Sequence, residues 1–238
     1  MGILAGFPVL LAGASVSYAL VVRPRLVRWG ATDEELAQRY PGADIIPDGT
    51  RAATMAVTID APPAQVWPWW LAQMGYDRAG WYSWDRLDNG GRASADRIHP
   101  EWQQIKLGDW LTAWSPGGPR SAWEVAALEP EHFLGLRGLS DLRGRPFDPR
   151  GPWPRAYVAG LWGFLLDELP GGRTRLVVSG YQTGRPRRLQ AASDFFVGLP
   201  AHWTMQTRQF TNIKRLAERD RAQARPDGAR QQDAPPLA

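Results

Sequence analysis

The densest run of residues able to do chemistry lies between Gln73 and Asp85, where Arg78, Trp81, Tyr82, Trp84 and Asp85 fall within eight positions. Large aromatic rings give contact area at low entropic cost, a phenol offers a hydrogen-bonding handle, and a guanidinium is a planar donor fork for a carboxylate or carbonyl. The block therefore admits two readings. It lines a pocket for a flat amphipathic ligand, or it is a plug closing one end of a sheet. A second cluster follows at Asp96, His99, Glu101 and Trp102, with Pro100 fixing the turn. His99 is the residue best suited to titrate near neutrality, and Asp96 or Glu101 is placed to orient it as a general base. With no nucleophile motif nearby, His99 serves equally as a loop hydrogen-bonding group. Tyr82, His99, Asp96 and Glu101 are thus the candidate catalytic residues. Arg78, Trp81, Tyr82, Trp84, Asp85, Trp102, Trp203 and Phe210 are the candidate ligand contacts. The acids Asp85, Asp88, Asp96 and Asp109 would suit an acid or base role, but in an Arg-rich chain loop acids are expected to be salt-bridged or solvated.

Several classes of chemistry are excluded. The 238 residues contain no Cys, so there are no disulfides, thiolate nucleophiles or Cys-ligated metals. His132 and His202 lack ligand spacing with His99, and no metal or cofactor is expected. Gly90-Gly91 and Gly117-Gly118 read as turns, not phosphate loops, and no Gly-x-Ser-x-Gly elbow occurs. The net charge of +4 is scattered among acids, without a basic stripe, which argues against nucleic acid. Only Lys106 and Lys214 among the 28 basic residues are lysines. Thirteen tryptophans point to aromatic-lined surfaces, whether core, pocket or membrane interface.

The elements that must position these residues are legible by period. Residues 54–60 alternate, with Met55, Val57 and Ile59 on one face, as in a half-buried strand. Asp60 is placed to cap a helix over 61–74, which Pro68 should bend and Gly75 end. Strands are predicted at 121–128, 132–137, 157–169 and 174–183, the last two joined by a Pro170-Gly171-Gly172-Arg173 turn. Helical spacing returns over 200–222, with Trp203, Gln206, Phe210, Ile213 and Ala217 on one face. Thr32 followed by Asp33, Glu34 and Glu35 caps a short linker helix that Pro41-Gly42 stops. The order is α+β, in one domain.

The first 22 residues carry no charged side chain, and a helix of that length covers about 33 Å, enough for a bilayer core. Arg23, Arg25 and Arg28 follow directly, which places the domain on the cytoplasmic side of the cell membrane. A cleaved signal peptide with Ala12-Gly13-Ala14 as its site is the competing reading, but its positive charge should precede the apolar run. Small residues at Gly2/Gly6 and Gly13/Ser17 give a weak homodimer signal. The division is then anchor 1–22, linker 23–53, ligand-binding domain 54–222 and disordered tail 223–238.

The stretches Arg28-Trp-Gly-Ala-Thr-Asp-Glu-Glu35, Thr58-Ile-Asp-Ala-Pro-Pro-Ala-Gln-Val-Trp-Pro-Trp69, Gln73-Met-Gly-Tyr-Asp-Arg-Ala-Gly-Trp-Tyr-Ser-Trp-Asp85 and Arg97-Ile-His-Pro-Glu-Trp-Gln103 resemble a membrane-tethered bacterial branch of the SRPBCC superfamily. That superfamily includes START lipid-transfer domains and polyketide cyclases. The resemblance implies a helix-grip fold, a curved antiparallel sheet around a long C-terminal helix with a ligand cavity between them. It implies a membrane-tethered binding protein for a small hydrophobic or amphipathic ligand, lipid, quinone-like or polyketide-like. The alternative is a cyclase or dehydratase acting on such a ligand in the same cavity.

Overall fold

The computed structural model describes Gly13 and residues 15–69, 71–115 and 121–224. Most of the expected anchor and nearly all of the expected tail lie outside these residues. Among the described residues, no helix is long and apolar enough to cross a membrane.

A π-helical turn, Tyr18–Val22, runs into α1 (Arg23–Leu26), and α2 is Asp33–Ala37. The cap expected at Thr32 is a full capping box: its hydroxyl accepts from Glu35 N at 3.2 Å and Glu35 Oε2 accepts from Thr32 N at 2.8 Å. Then come β1 (Thr50–Arg51), β2 (Met55–Ile59), α3 (Pro63–Trp69), α4 (Asp85–Asp88), a 3-10 turn at Pro100–Trp102, β3 (Trp110–Ala113), β4 (Ser121–Glu129), β5 (Phe133–Asp141), β6 (Tyr157–Leu169) and β7 (Arg173–Arg185). The chain continues through α5 (Arg187–Ser193), a second π-helical turn (Asp194–Gly198) and α6 (Leu199–Ala224).

All strand pairs are antiparallel, in the order β1-β7-β6-β5-β4-β3, and β2 also pairs with β7. The β6–β7 turn needs two left-handed residues. Gly171 (φ 84°) and Gly172 (φ 64°) supply them.

Alternation sends the strand side chains to two cores. Met55, Leu176 and Val178 join Leu134, Leu136, Phe164 and Leu166 against α3 and against Phe210, Ile213, Leu216 and Ala217 of α6. Ala56, Val177 and Tyr181 join Phe133 and Leu161 on the opposite face, under Tyr40 and Ile46 of the segment leading to β1. The linker is therefore a second packed layer. Tyr40 donates to Val177 O at 2.9 Å and Tyr181 donates to Tyr40 O at 2.8 Å, so both phenols are satisfied inside that layer. Arg175 of β7 pairs with Glu35 of α2 at 2.7 Å, and the hydrogen bonds from Arg175 and the Thr32 backbone hold the Glu35 carboxyl below its usual range against its burial.

The structure departs from the expectations at helix ends. The predicted helix 61–74 ends at Trp69, and residues 71–73 form a turn in which Leu71 N and Ala72 N both donate to the Trp67 carbonyl, at 3.1 and 3.2 Å, in place of a regular ladder. The last helical region begins at Arg187, thirteen residues before the expected start at 200. Gly198 and Pro200 read as breakers, yet the wide π turn carries the chain through them. Two short strands, β1 and β3, have too few alternations to show a period.

Candidate functional site

Between the sheet and the first half of α6 lies a cavity of about 890 Å³. Its wall takes residues from every strand from β3 to β7 and from Arg51 to Thr54, so it runs across the sheet. With strands about 4.8 Å apart, that is on the order of 20 Å.

The cavity exists because the inward-facing strand residues shrink along their length. Leu134 and Leu136 of β5 give way to Gly138 and Ser140, and Phe164 of β6 gives way to Gly160 and Val158. The one large group left on this part of the sheet is aromatic. Trp81, Trp123 and Trp162 pack together, with ring centroids 5.2 Å (Trp81–Trp123), 5.6 Å (Trp81–Trp162) and 6.0 Å (Trp123–Trp162) apart, and all three border the cavity.

Helix α6 supplies the facing wall through His202, Met205, Gln206 and Gln209, whose spacing puts them on one stripe. The amides are fixed in a chain: Trp162 Nε1 donates to Gln206 Oε1 at 3.2 Å, Gln206 Nε2 to Gln209 Oε1 at 3.0 Å, and Gln209 Nε2 to Trp81 O at 2.8 Å. His202 stands edge-on to Trp162 at 6.2 Å. Burial pushes its imidazole down to about 4, so it is neutral at physiological pH.

At the β3 end, Ser83 hydrogen-bonds to Asp88 Oδ2, and Met205 Sδ lies 3.7 Å from Ser83 Oγ. Asp88 is 8% exposed, and among the described residues its Oδ1 is buried without a hydrogen-bond partner. Burial pushes the Asp88 carboxyl up to about 6, with the Ser83 hydrogen bond pulling against the shift and Asp85 reinforcing it. At the other end the wall is Arg23, Arg51, Gln190, Ser193 and Asp194. Arg51 is fully engaged by Ser179 Oγ (2.7 Å), Thr54 Oγ1 (3.2 Å) and the carbonyls of Glu35 and Gln38. Among the described residues Arg23 Nε is buried without a hydrogen-bond partner, and its guanidinium lies over the Phe195 ring at 5.7 Å.

The block from Gln73 to Asp85 splits between the two readings given to it. Trp81 faces the cavity, its Nε1 donating to Thr112 O at 2.9 Å. Arg78 is tied to the carbonyls of Ala72 and Trp102, and burial lowers its pKa. Tyr82 takes a positive φ of 57°, is buried, and accepts at its phenol oxygen from Gln73 Nε2 at 2.5 Å; burial raises its phenol far above the usual range. Neither of these two borders the cavity. Trp84 is 45% exposed and Asp85 accepts from Ser94, so neither borders the cavity.

The other candidates also sit elsewhere. His99 Nδ1 lies 3.0 Å from Glu101 Oε1 and its ring lies 4.2 Å from Trp102, outside the cavity wall. The carbonyl of Asp96 accepts from Arg219 at 2.9 Å. Phe210 is buried in the main core against Trp29, with centroids 5.8 Å apart, Trp203 packs against that core, and neither borders the cavity. A face read at helical spacing cannot show where the opposing sheet is full and where it is empty. Asp88 contradicts the expectation for loop acids, since it is buried and has no cationic partner among the described residues. Trp123 and Trp162 had a usable signal, because they share the inward register of Val125 and Phe164 in strands that were legible. Ser83 and His202 had none.

No family model matches the sequence, and no curated protein matches it. Among solved structures, the chain is similar to protein MLL2253 from Mesorhizobium loti, with 22% identity over 70% of this chain and 97% of that one and a TM-score of 0.38. It is similar to the Polyketide_cyc-like protein Cgl2372 from Corynebacterium glutamicum, with 17% identity, 76% and 99% coverage and a TM-score of 0.42. A protein from Arthrobacter aurescens gives 15% identity, 71% and 86% coverage and a TM-score of 0.41.

Proposed function

We propose that this is a membrane-tethered binding protein of the SRPBCC type, which holds a small apolar or amphipathic molecule between its sheet and α6. The observation that carries this reading is the cavity of about 890 Å³ walled by three packed indoles and a stripe of oriented polar groups on one helix. That volume suits a drug-sized or lipid-like ligand, and mostly apolar walls with few fixed polar groups are the usual build of such sites.

Support for the tether comes from the surface beside the cavity. Val16, Leu20, Val21 and Val22 are exposed on the N-terminal helical segment, and Leu189, Phe196 and Val197 on the α5 segment. The two segments touch, with Tyr18 and Phe195 ring centroids 5.0 Å apart. Arg23, Gln190, Ser193 and Asp194, from these same segments, form the near wall of the cavity. An apolar surface over a cavity wall, flanked by exposed Arg185, Arg187 and Arg188, suits a bilayer with anionic lipids. On this reading the uncharged N-terminal run anchors the domain on the cytoplasmic face, and ligand enters from the membrane.

The experiment is native mass spectrometry of the detergent-purified full chain, together with titration by pyrene, an uncharged planar probe. A retained small molecule or saturable pyrene binding is expected. The absence of both a retained molecule and pyrene binding would overturn the reading. A C-terminal reporter active only outside the cytoplasm would overturn the orientation.

A further inference from the structure

We infer that Trp123 Nε1 and the imidazole of His202 are the polar contact of the cavity, and that they receive an oxygen acceptor carried by a flat, uncharged ligand laid beside Trp162. This rests on the binding reading above and names the chemistry its ligand must carry.

The first step is a census of the polar atoms around the three indoles. Most are spent on one another. Trp81 Nε1 donates to Thr112 O, Trp162 Nε1 to Gln206 Oε1, Gln206 Nε2 to Gln209 Oε1 and Gln209 Nε2 to Trp81 O. Trp123 and His202 differ. Both border the cavity, both are half-buried, and neither side chain hydrogen-bonds to a described residue. Among the described residues, the nitrogens that are both unpartnered and sealed from water include Trp203 Nε1, but not Trp123 Nε1 or either nitrogen of His202. The unpartnered nitrogens of Trp123 and His202 are therefore open to a small molecule. Water satisfies them while the cavity is wet, and a purely apolar ligand that expelled the water would leave them stranded.

The second step is place. Trp162 joins the two residues, with ring centroids 6.0 Å from Trp123 and 6.2 Å from His202. The sheet between Trp123 and α6 is bare, because Gly138 of β5 faces Gly160 of β6 in register. The edge of the Trp123 ring that carries Nε1 leans over Gly138, where an added Cβ would lie 3.1 Å from that nitrogen. One strand further on, a Cβ added to Gly160 would meet only Tyr181 O, at 3.6 Å. A flat ring laid over Gly160 thus has the indole N–H beside it and His202 on the facing helix.

The third step is stoichiometry. Burial alone pushes the His202 imidazole down to about 4, so at neutral pH it offers one N–H and one acceptor nitrogen. With the Trp123 N–H, the open groups are two donors and one acceptor, all uncharged. A carbonyl or hydroxyl oxygen matches them. A carboxylate would find no cation here, since Arg23 and Arg51 line the other end of the cavity and Arg51 is already engaged. An ammonium brings three donors to a single acceptor, because Asp88 Oδ2 is taken by Ser83 and Oδ1 is sealed, while Asp194 lies at the other end.

The experiment measures four probes against the full chain in detergent at about pH 7.5: pyrene, 1-acetylpyrene, 1-pyrenecarboxylate and 1-pyrenemethylammonium. Each affinity is corrected for partition into protein-free micelles. 1-Acetylpyrene should bind roughly tenfold more tightly than pyrene, and more tightly than either charged probe. His202→Leu and Trp123→Phe should each cut its advantage over pyrene several-fold, and together should abolish it. A merely structural role would weaken both probes alike and leave their ratio unchanged. In the unaltered protein the carbonyl stretch of bound 1-acetylpyrene should lie below its position in hexane, which tests the contact should the variants fail to fold. If pyrene itself does not bind, the binding reading fails. If pyrene binds and 1-acetylpyrene is no tighter, if its advantage survives both substitutions, or if the carbonyl stretch is unshifted, the assignment to Trp123 and His202 is wrong. A charged probe tighter than the ketone would also overturn it.

Discussion

The two halves of α6 face the same sheet and do opposite things. From Phe210 onwards the helix sets Phe210, Ile213, Leu216 and Ala217, none more than 2% exposed, against Leu134, Leu136, Phe164, Leu166, Leu176 and Val178. Before Gln209 it sets His202, Met205 and Gln206 against Gly138, Ser140, Val158 and Gly160, and the space between is empty. One half holds the fold together and the other walls the cavity. The difference is made by the strands, whose inward residues are large at one end and small at the other, so that a single straight helix closes only half of the gap.

The harshest way to break this comparison is Phe210→Asp, which puts an unpaired charge into the filled half. A loss of several kcal/mol is expected, enough to unfold a domain of ordinary stability, and circular dichroism melts would show it. A variant that melted like the parent would mean that the two halves do not differ in packing.

The next effect sharpens the comparison through pH. His202 and Asp88 both border the empty half and have shifted pKa values of opposite consequence. His202 is pushed from 6.5 down to about 4, so it contributes stability above pH 6.5 that is lost as the pH falls towards 4. Asp88 is pushed from 3.8 up to about 6, so its contribution is fully present below pH 3.8 and lost as the pH rises through 6. Between about pH 4 and 6 the two oppose each other. Asp88→Asn should therefore steepen the fall in Tm on acidification, and His202→Gln should flatten or reverse it. Scanning calorimetry at several pH values decides the matter, and parallel profiles for both variants would show that these groups are not buried as described. At about pH 7.5 Asp88→Asn should also raise Tm, since it removes a buried charge that has no cationic partner.

A smaller change is expected from Gly160→Ala. The added methyl would meet only the Tyr181 carbonyl oxygen at 3.6 Å, an ordinary contact, and it would project from a strand where glycine is entropically costly. Stability should rise by about 0.5 kcal/mol. Urea melts would record the gain, and pyrene affinity should fall with the lost volume. The same methyl at Gly180 would lie 1.8 Å from the Leu161 carbonyl oxygen, so Gly180→Ala serves as the contrasting variant that cannot be accommodated.

The smallest effect on stability belongs to Phe196→Ser, on the exposed surface beside the cavity. Tm should be unchanged within error, as for most surface substitutions. Binding of the described domain, residues 23–224, to vesicles containing anionic lipid should nonetheless weaken. Equal sedimentation of parent and variant with such vesicles would remove Phe196 from the membrane-facing surface.

Much of the architecture was already determined by local pattern. Period-2 alternation placed β2, β4, β5, β6 and β7 to within a few residues, Gly171-Gly172 marked the hairpin, Thr32 marked an N-cap, and the face containing Phe210, Ile213 and Ala217 marked the core side of α6. Those signals are local because a strand, a turn and a helix face are each set by neighbours a few residues apart. The site was not local. Ser83, which holds Asp88, meets Met205 across more than a hundred residues, Trp81 meets Trp123 and Trp162 from three separate elements, and the cavity is the gap that their strands and α6 leave unfilled. Composition named the tryptophans, and spacing named Trp81, but which acid would be buried without a cation depended on what the fold packed around it. Desolvation is a property of the assembled surroundings, so only the tertiary structure could separate Asp88 from Asp85, its neighbour by one helical turn.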